Sequence, residues 1–406
     1  MNRSLEGSPS SFLFPPSYFV RLCFAAFMAY ASYAICRSPL LPLFARELGA
    51  GPSLVGFVVG ASTITGILVK LPAGALSDVL GRRRLLLAGA LVFAVMPFTY
   101  LAVSTLALLV LLRFVHGSAT AIFGPVASAS VSDLAPAAKR GAWMSMYSTA
   151  QGAGQALGPV VAGYLIAGGR FDLAFVAAGL VGLGVPLAVA TWRDGSTTPQ
   201  ARARWPEFGR GVREVLGDRL VLVTSAAQAA QFVLNGMLNA FLPLFGRDVL
   251  GLGPAELGWL FALQTVTTLA VRPLVGFASD RAGRRWVIVC GLTTCSAAVF
   301  GLSVAASLTM VIAAILAYAA GVATTTAATG AFITDVTRRA RYGAAHGVFG
   351  TIYDVGDALG PIVAGVLVAA VGYSRMFQSL AAVALVMAVA FIAASRPRAA
   401  WPRAVP

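Results

Sequence analysis

Stretches of about 20 consecutive apolar residues recur along the whole of this 406-residue chain, and each can cross a hydrocarbon core of roughly 30 Å as an α-helix. A backbone amide in lipid has no water to bond, so a crossing segment must satisfy its own hydrogen bonds. Hydrophobic residues make up 58% of the chain and charged ones 11%, against roughly 25% charged in a soluble domain. Lipid is the solvent that this composition fits. About twelve spans are expected, near 18–40, 53–73, 85–103, 105–130, 142–167 and 172–192, then 219–245, 254–275, 287–306, 308–332, 344–370 and 373–394. The polar, arginine-rich stretch 193–218, interrupted by Gly195, Pro199 and Pro206, reads as a linker between a bundle at 1–192 and another at 219–406.

The two halves are copies. The segment from Gly74 to Arg84, G-A-L-S-D-V-L-G-R-R-R, returns 202 residues later from Gly276 as G-F-A-S-D-R-A-G-R-R. The same offset relates Asp78 to Asp280, Asp133 to Asp335, Gly158-Pro159 to Gly360-Pro361, and Gly163 to Gly365. A repeat of this length in an apolar chain implies an all-α polytopic membrane protein, two pseudo-symmetric six-helix bundles with a site between them.

A net charge of +15 suggests nucleic acid in a soluble protein, but here the basic residues fall in loops and no basic helix with interleaved aromatics occurs. Of the 30 Lys and Arg, 21 lie in one alternating set of loops, and only Arg46, Arg170, Arg247 and Arg375 lie in the other. Positively charged loops stay in the cytoplasm, so both termini, the linker and the duplicated loops are expected there, in a cell (inner) membrane. The N-terminal segment carries an acid and prolines and lacks a small-residue cleavage site, so the first span is expected to direct insertion. Cys23, Cys36, Cys290 and Cys295 sit in apolar runs without metal spacing and read as reduced, packed thiols. No metal or nucleotide motif is visible, which argues against an enzyme and against direct use of ATP.

Gly74, Asp78, Gly81, Arg82 and Arg83, with the second copy Gly276, Asp280, Gly283, Arg284 and Arg285, resemble the loop signature of the major facilitator superfamily. The resemblance covers nearly the whole chain. It implies a loop that latches the cytoplasmic helix ends and in which Asp78 is more sensitive than Asp280. The glycines permit a tight turn there. Arg113, four residues before Gly117, is similar to the family's second signature, with His116 where Gln is usual. An Arg this deep in a span is costly unless it faces the bundle interior with a partner, the alternative being that it snorkels to the outer surface, and offset 202 gives Ile315, not a second Arg. Gly154, Gly158 and Pro159 resemble the fifth-helix signature of antiporters, although Ala162 and Ser145 replace two of its glycines. Gly356, Gly360 and Pro361 repeat the pattern. Glycines four apart let helices approach closely, and the prolines bend them.

Gln228, Gln231, Asn235 and Asn239 form one stripe on the seventh span, which must face a cavity or a neighbouring helix. Thr325 and Thr329 on the tenth span and Tyr30 and Tyr33 on the first are further cavity candidates, and Arg37 is another, between a cavity role and snorkelling. Lys70 and Arg272, related by the offset, read as snorkelling cations. Among 15 acidic residues only Asp354 and Asp357 fall well inside a span, on one helix face. Two like charges so deep are costly, so they are expected to exchange protons, with Arg113 and His116 as further proton-coupling candidates. The competing expectation is a static ion pair with Arg113 or His116, or a helix cap.

The function expected is proton-coupled efflux of a small amphipathic organic compound, as in twelve-helix drug/proton antiporters, by a monomer driven by the proton gradient without a cofactor. The alternatives are a uniporter or symporter for a metabolite such as a sugar or organic acid, and a membrane receptor or scaffold that does not transport.

Overall fold

The computed structural model describes residues 17–136, 139–190, 213–337 and 341–395. The expected linker lies outside the described residues as far as residue 212. Among the described residues every regular element is helical: α1 (Ser17–Ile35), α2 (Leu40–Glu47), α3 (Pro52–Leu80), α4 (Arg82–Thr99), α5 (Leu106–Leu134), α6 (Arg140–Ile166), α7 (Phe171–Ala190), α8 (Arg219–Leu250), α9 (Pro254–Ala282), α10 (Arg284–Leu302), α11 (Leu308–Val336) and α12 (Tyr342–Ala394). Ten stretches are long and apolar enough to cross a membrane. The α12 stretch is one of these, although Gly372, at φ 79°, divides it into two helices where the sequence predicts a boundary. The polar α6 is not among the ten. Twelve crossings remain the expectation, and length with apolarity alone establishes ten.

The first crossing differs from its predicted limits. It breaks after Ile35 and resumes as α2 as far as Glu47, because Pro39 has no N–H to give and its ring would meet the carbonyl four residues back. Elsewhere the boundaries follow local chemistry. Thr105 and Ser307 accept hydrogen bonds from the amides of Leu108 and Met310 at the starts of α5 and α11. Pro52 and Pro254 open α3 and α9, where a missing N–H costs nothing.

The repeat is carried into the packing. Gly154 and Gly158 of α6 lie against the backbone of α1 at Phe27 and Ala31, and Gly356 and Gly360 of α12 lie against α8 at Ala229 and Val233. Those four contacts are two pairs related by the 202-residue offset. The seams between the halves repeat as well: Gly56 meets the Pro361 carbonyl as Gly258 meets that of Pro159, and Gly365 meets Pro52 as Gly163 meets Pro254. In each case a Cβ would collide with backbone, so glycine is what allows the approach.

The core shows where the halves join. One cluster at the arginine-poor end includes Leu41, Val58 and Phe175 of the first half with Leu238, Phe245 and Phe377 of the second. At the arginine-rich end the clusters are confined to one half each: Leu86, Phe123 and Tyr147 in the first, and Leu292, Phe332 and Phe391 or Ile333, Ala345 and Phe349 in the second. Among the described residues the bundles therefore share a buried apolar cluster at one end only.

Candidate functional site

Between the halves lies a cavity of about 700 Å³ whose wall takes residues from α1, α3, α5 and α6 and from α8, α9, α11 and α12. Its polar lining includes Tyr30, Tyr33, Arg37, Thr63, Lys70, Gln151, Gln155, Gln231, Asn235, Asn239, Gln264, Arg272, Thr326, Asp354 and Asp357. Gly66, Pro125, Phe261, Leu269 and Val322 interrupt this polar wall, so the cavity offers a small molecule both polar groups and apolar surface.

The two acids reach the cavity from α12, and each meets a cation of the other half. Lys70 Nζ donates to Asp354 Oδ2 at 2.5 Å. Arg37 Nη2 donates to Asp357 Oδ2 at 3.1 Å. The carboxylates are 9% and 10% exposed, their cations more so. Asp357 is the more fully held, since Asn235 Nδ2 donates to its Oδ1 at 2.9 Å and Thr63 Oγ1 to its Oδ2 at 3.3 Å.

Several expectations need correction here. Lys70 does not snorkel: it lines the cavity and is the partner of Asp354. Arg272 also lines the cavity. The acids' partners are Lys70 and Arg37, not Arg113 or His116. The sequence gives depth along a helix, but not which helix of the other half faces it. Gln228, Thr325 and Thr329 are buried outside the cavity wall, between α8 and α11. There the Thr329 hydroxyl donates to Gln228 Oε1 at 2.5 Å and Gln228 Nε2 donates to Gln231 Oε1 at 2.8 Å. Gln231, Asn235 and Asn239 carry the amide stripe into the cavity. Ser62, Thr63, Gln151, Gln155 and Gln264 were missed; they stand among serines, threonines and glycines in otherwise apolar spans, where a small hydroxyl or single amide also serves helix packing and so is a weak signal for a cavity wall.

Arg113 and His116 are fully buried behind the cavity. Arg113 Nη2 donates to Ser62 Oγ at 2.6 Å, and its guanidinium lies 5.7 Å from the centre of the Tyr33 ring. Tyr33 also donates to Ser62, at 3.1 Å, so this hydroxyl joins the buried Arg to a cavity wall. His116 Nδ1 lies 3.1 Å from the Tyr100 hydroxyl.

At the duplicated loops Gly81 and Gly283 have φ 89° and 84°, turns that a side chain would strain. Their arginines are bound alike: Arg82 pairs with Asp133 and Arg284 with Asp335, while Arg83 donates to the Ala190 carbonyl and Arg285 to that of Ile392. These arginines tie the start of α4 and α10 to neighbouring helix ends within the same half. The surroundings of Gly74 and the side chains of Asp78 and Asp280 lie outside the described residues, so the latch expected of them does too.

A family model described as Major Facilitator Superfamily matches the chain twice, at residues 22–255 and 224–406. The chain belongs to the Major Facilitator Superfamily. The second match begins 202 residues after the first, the spacing of the repeat. Among its relatives is an uncharacterized MFS-type transporter of Methanocaldococcus jannaschii, 22% identical over 358 residues, 87% of this chain and 92% of that one. A multidrug resistance protein, MdtH, of Photorhabdus laumondii subsp. laumondii is 24% identical over 271 residues, 64% of this chain and 65% of that one. Among solved structures, a bacterial homolog of the human lysosomal transporter Spinster, inward-facing and occupied, superposes with a TM-score of 0.79 at 16% identity, covering 96% of this chain and 98% of that one. This Major Facilitator Superfamily member is thus a multi-pass membrane transporter of a small molecule.

Proposed function

We propose that this transporter exports a small amphipathic organic compound in exchange for protons, by alternating access to the cavity. The observation that carries the reading is that both intramembrane acids sit in ion pairs crossing from one half to the other, Lys70 with Asp354 and Arg37 with Asp357. A proton taken up by either carboxylate removes one side of such a pair and weakens a joint between the bundles; its release restores the joint. Proton occupancy then biases which arrangement of the two halves is populated, which is what coupling requires.

The two acids divide the work. Neutralising Asp357 would strand three donors, those of Arg37, Asn235 and Thr63, whereas Asp354 has the Lys70 ammonium as its cation. Asp354 is therefore the proton-sensitive member, and Asp357 with Arg37 holds the joint. Tyr30, Tyr33, Gln231 and Asn235 offer rings and amides to a cargo with both apolar and polar parts. With the arginine-rich loops in the cytoplasm, the apolar core shared by both halves lies at the outer end and the separate cores at the inner one, the arrangement of an inward-facing state. Likeness to a multidrug resistance protein supports export.

The test compares growth of cells with and without the protein over a chemically varied panel of toxic compounds. Protection against some members, abolished by a protonophore, is the expected result. Increased uptake and sensitivity would overturn export and favour an importer.

A further inference from the structure

The 202-residue repeat predicts that each charged pair in the cavity should have a symmetry mate, and neither pair has. Arg37 and Asp357 correspond to Asn239 and Gln155, two amides that also line the cavity, so that pair is replaced by a neutral one. Lys70 and Asp354 correspond to Arg272 and Gly152. Here the cation survives and its acid does not. Gly152 has no side chain to offer, and the Leu269 side chain of α9 packs against it. Among the described residues no carboxylate lies within ion-pair distance of Arg272.

The charges of the wall then do not cancel. Three cations, Arg37, Lys70 and Arg272, face two carboxylates, and both carboxylates are engaged. Arg113, fully buried, adds a fourth positive charge behind Tyr33. Arg272 is exposed where it lines the cavity and so is within reach of a solute, and a guanidinium in a cleft attracts anions and binds carboxylate or sulfonate oxygens in pairs. Among the described residues of the wall a cationic cargo would find no free acid, and it would be repelled from the side of α9.

We propose that Arg272 is the docking point for a negatively charged group of the cargo, so that the transported compound is an amphipathic organic anion, a carboxylate or sulfonate on an aromatic or aliphatic body. The cargo's anion takes the place, beside Arg272, that Asp354 takes beside Lys70. When the halves close at the arginine-rich end, a filled site presents a neutralised pair on both sides of the pseudo-twofold axis; an empty one leaves Arg272 unpaired. This deepens the transport reading above and rests on the cavity being its site.

The test is equilibrium binding to the purified full chain in neutral detergent, using naphthoate, naphthamide and naphthyltrimethylammonium, probes of one shape and three charges. The expected result is naphthoate binding about tenfold or more tighter than the amide, with the cation weakest. In Arg272→Gln the ratio of carboxylate to amide affinity should fall to near one, while Arg272→Lys should keep part of it. Both variants must elute as the parent does on gel filtration. A lipid headgroup offers the same anionic chemistry, so phosphatidylglycerol is titrated in parallel. Absence of a carboxylate preference, an unchanged ratio in Arg272→Gln, or Arg272-dependent binding of the lipid alone would each overturn the proposal. No proton gradient enters this measurement, so a failure of proton coupling would leave its result standing, and the converse also holds.

Discussion

Asp354 and Asp357 stand about one helical turn apart on α12, in different surroundings. Asp357 accepts from Arg37, Asn235 and Thr63, and with Arg37 it forms the less exposed of the two pairs. Substituting Asp357→Asn removes the anion and strands a partly buried guanidinium, a loss on the order of 2 kcal/mol. The expected outcome is a clearly lower Tm in detergent. Asp354→Asn should lower Tm less, because Lys70 keeps access to water and can turn toward it. Equal losses for the two variants would contradict this division. Depth and facing of the acids were legible in the sequence, since helical spacing fixes both. Their partners were not: Lys70 lies 284 positions from Asp354 and Arg37 lies 320 from Asp357, and no local pattern reports such a meeting.

Among elements, the seams between the halves depend on glycine at the places where helix backbones touch. Gly56 of α3 rests on the Pro361 carbonyl of α12, and Gly258 of α9 on that of Pro159 in α6. A valine at position 56 cannot fit there without moving one helix, at a cost of about 1–3 kcal/mol, and the movement would open the arginine-poor end. Cys36, fully buried in the core at that end, reports on it. In a background lacking Cys23, Cys290 and Cys295, Gly56→Val should raise the rate of Cys36 labelling by a small maleimide. An unchanged rate would mean that the seam does not control closure. The seams were half legible. The offset marked Pro159 with Pro361 and Gly163 with Gly365 as equivalent, because equivalent contacts need equivalent small residues. Which helix each would meet depends on how the bundles pair, and a repeat seen in one dimension does not contain that.

On the scale of the whole molecule, two bundles share one core at the arginine-poor end and have separate cores at the other. The charge asymmetry of the loops predicts that the arginine-rich end is cytoplasmic. A cysteine introduced at Gly217 should then be labelled by a membrane-impermeant reagent only after cells are opened, and labelling of intact cells would reverse the orientation. The central claim is that protons act on the Lys70–Asp354 joint between the bundles. Its most direct test is transport of a protected compound in proteoliposomes with an imposed pH gradient, comparing parent with Asp354→Asn. The account predicts that the parent accumulates the compound against its gradient while Asp354→Asn only equilibrates it; accumulation by Asp354→Asn at the parent's level would contradict it.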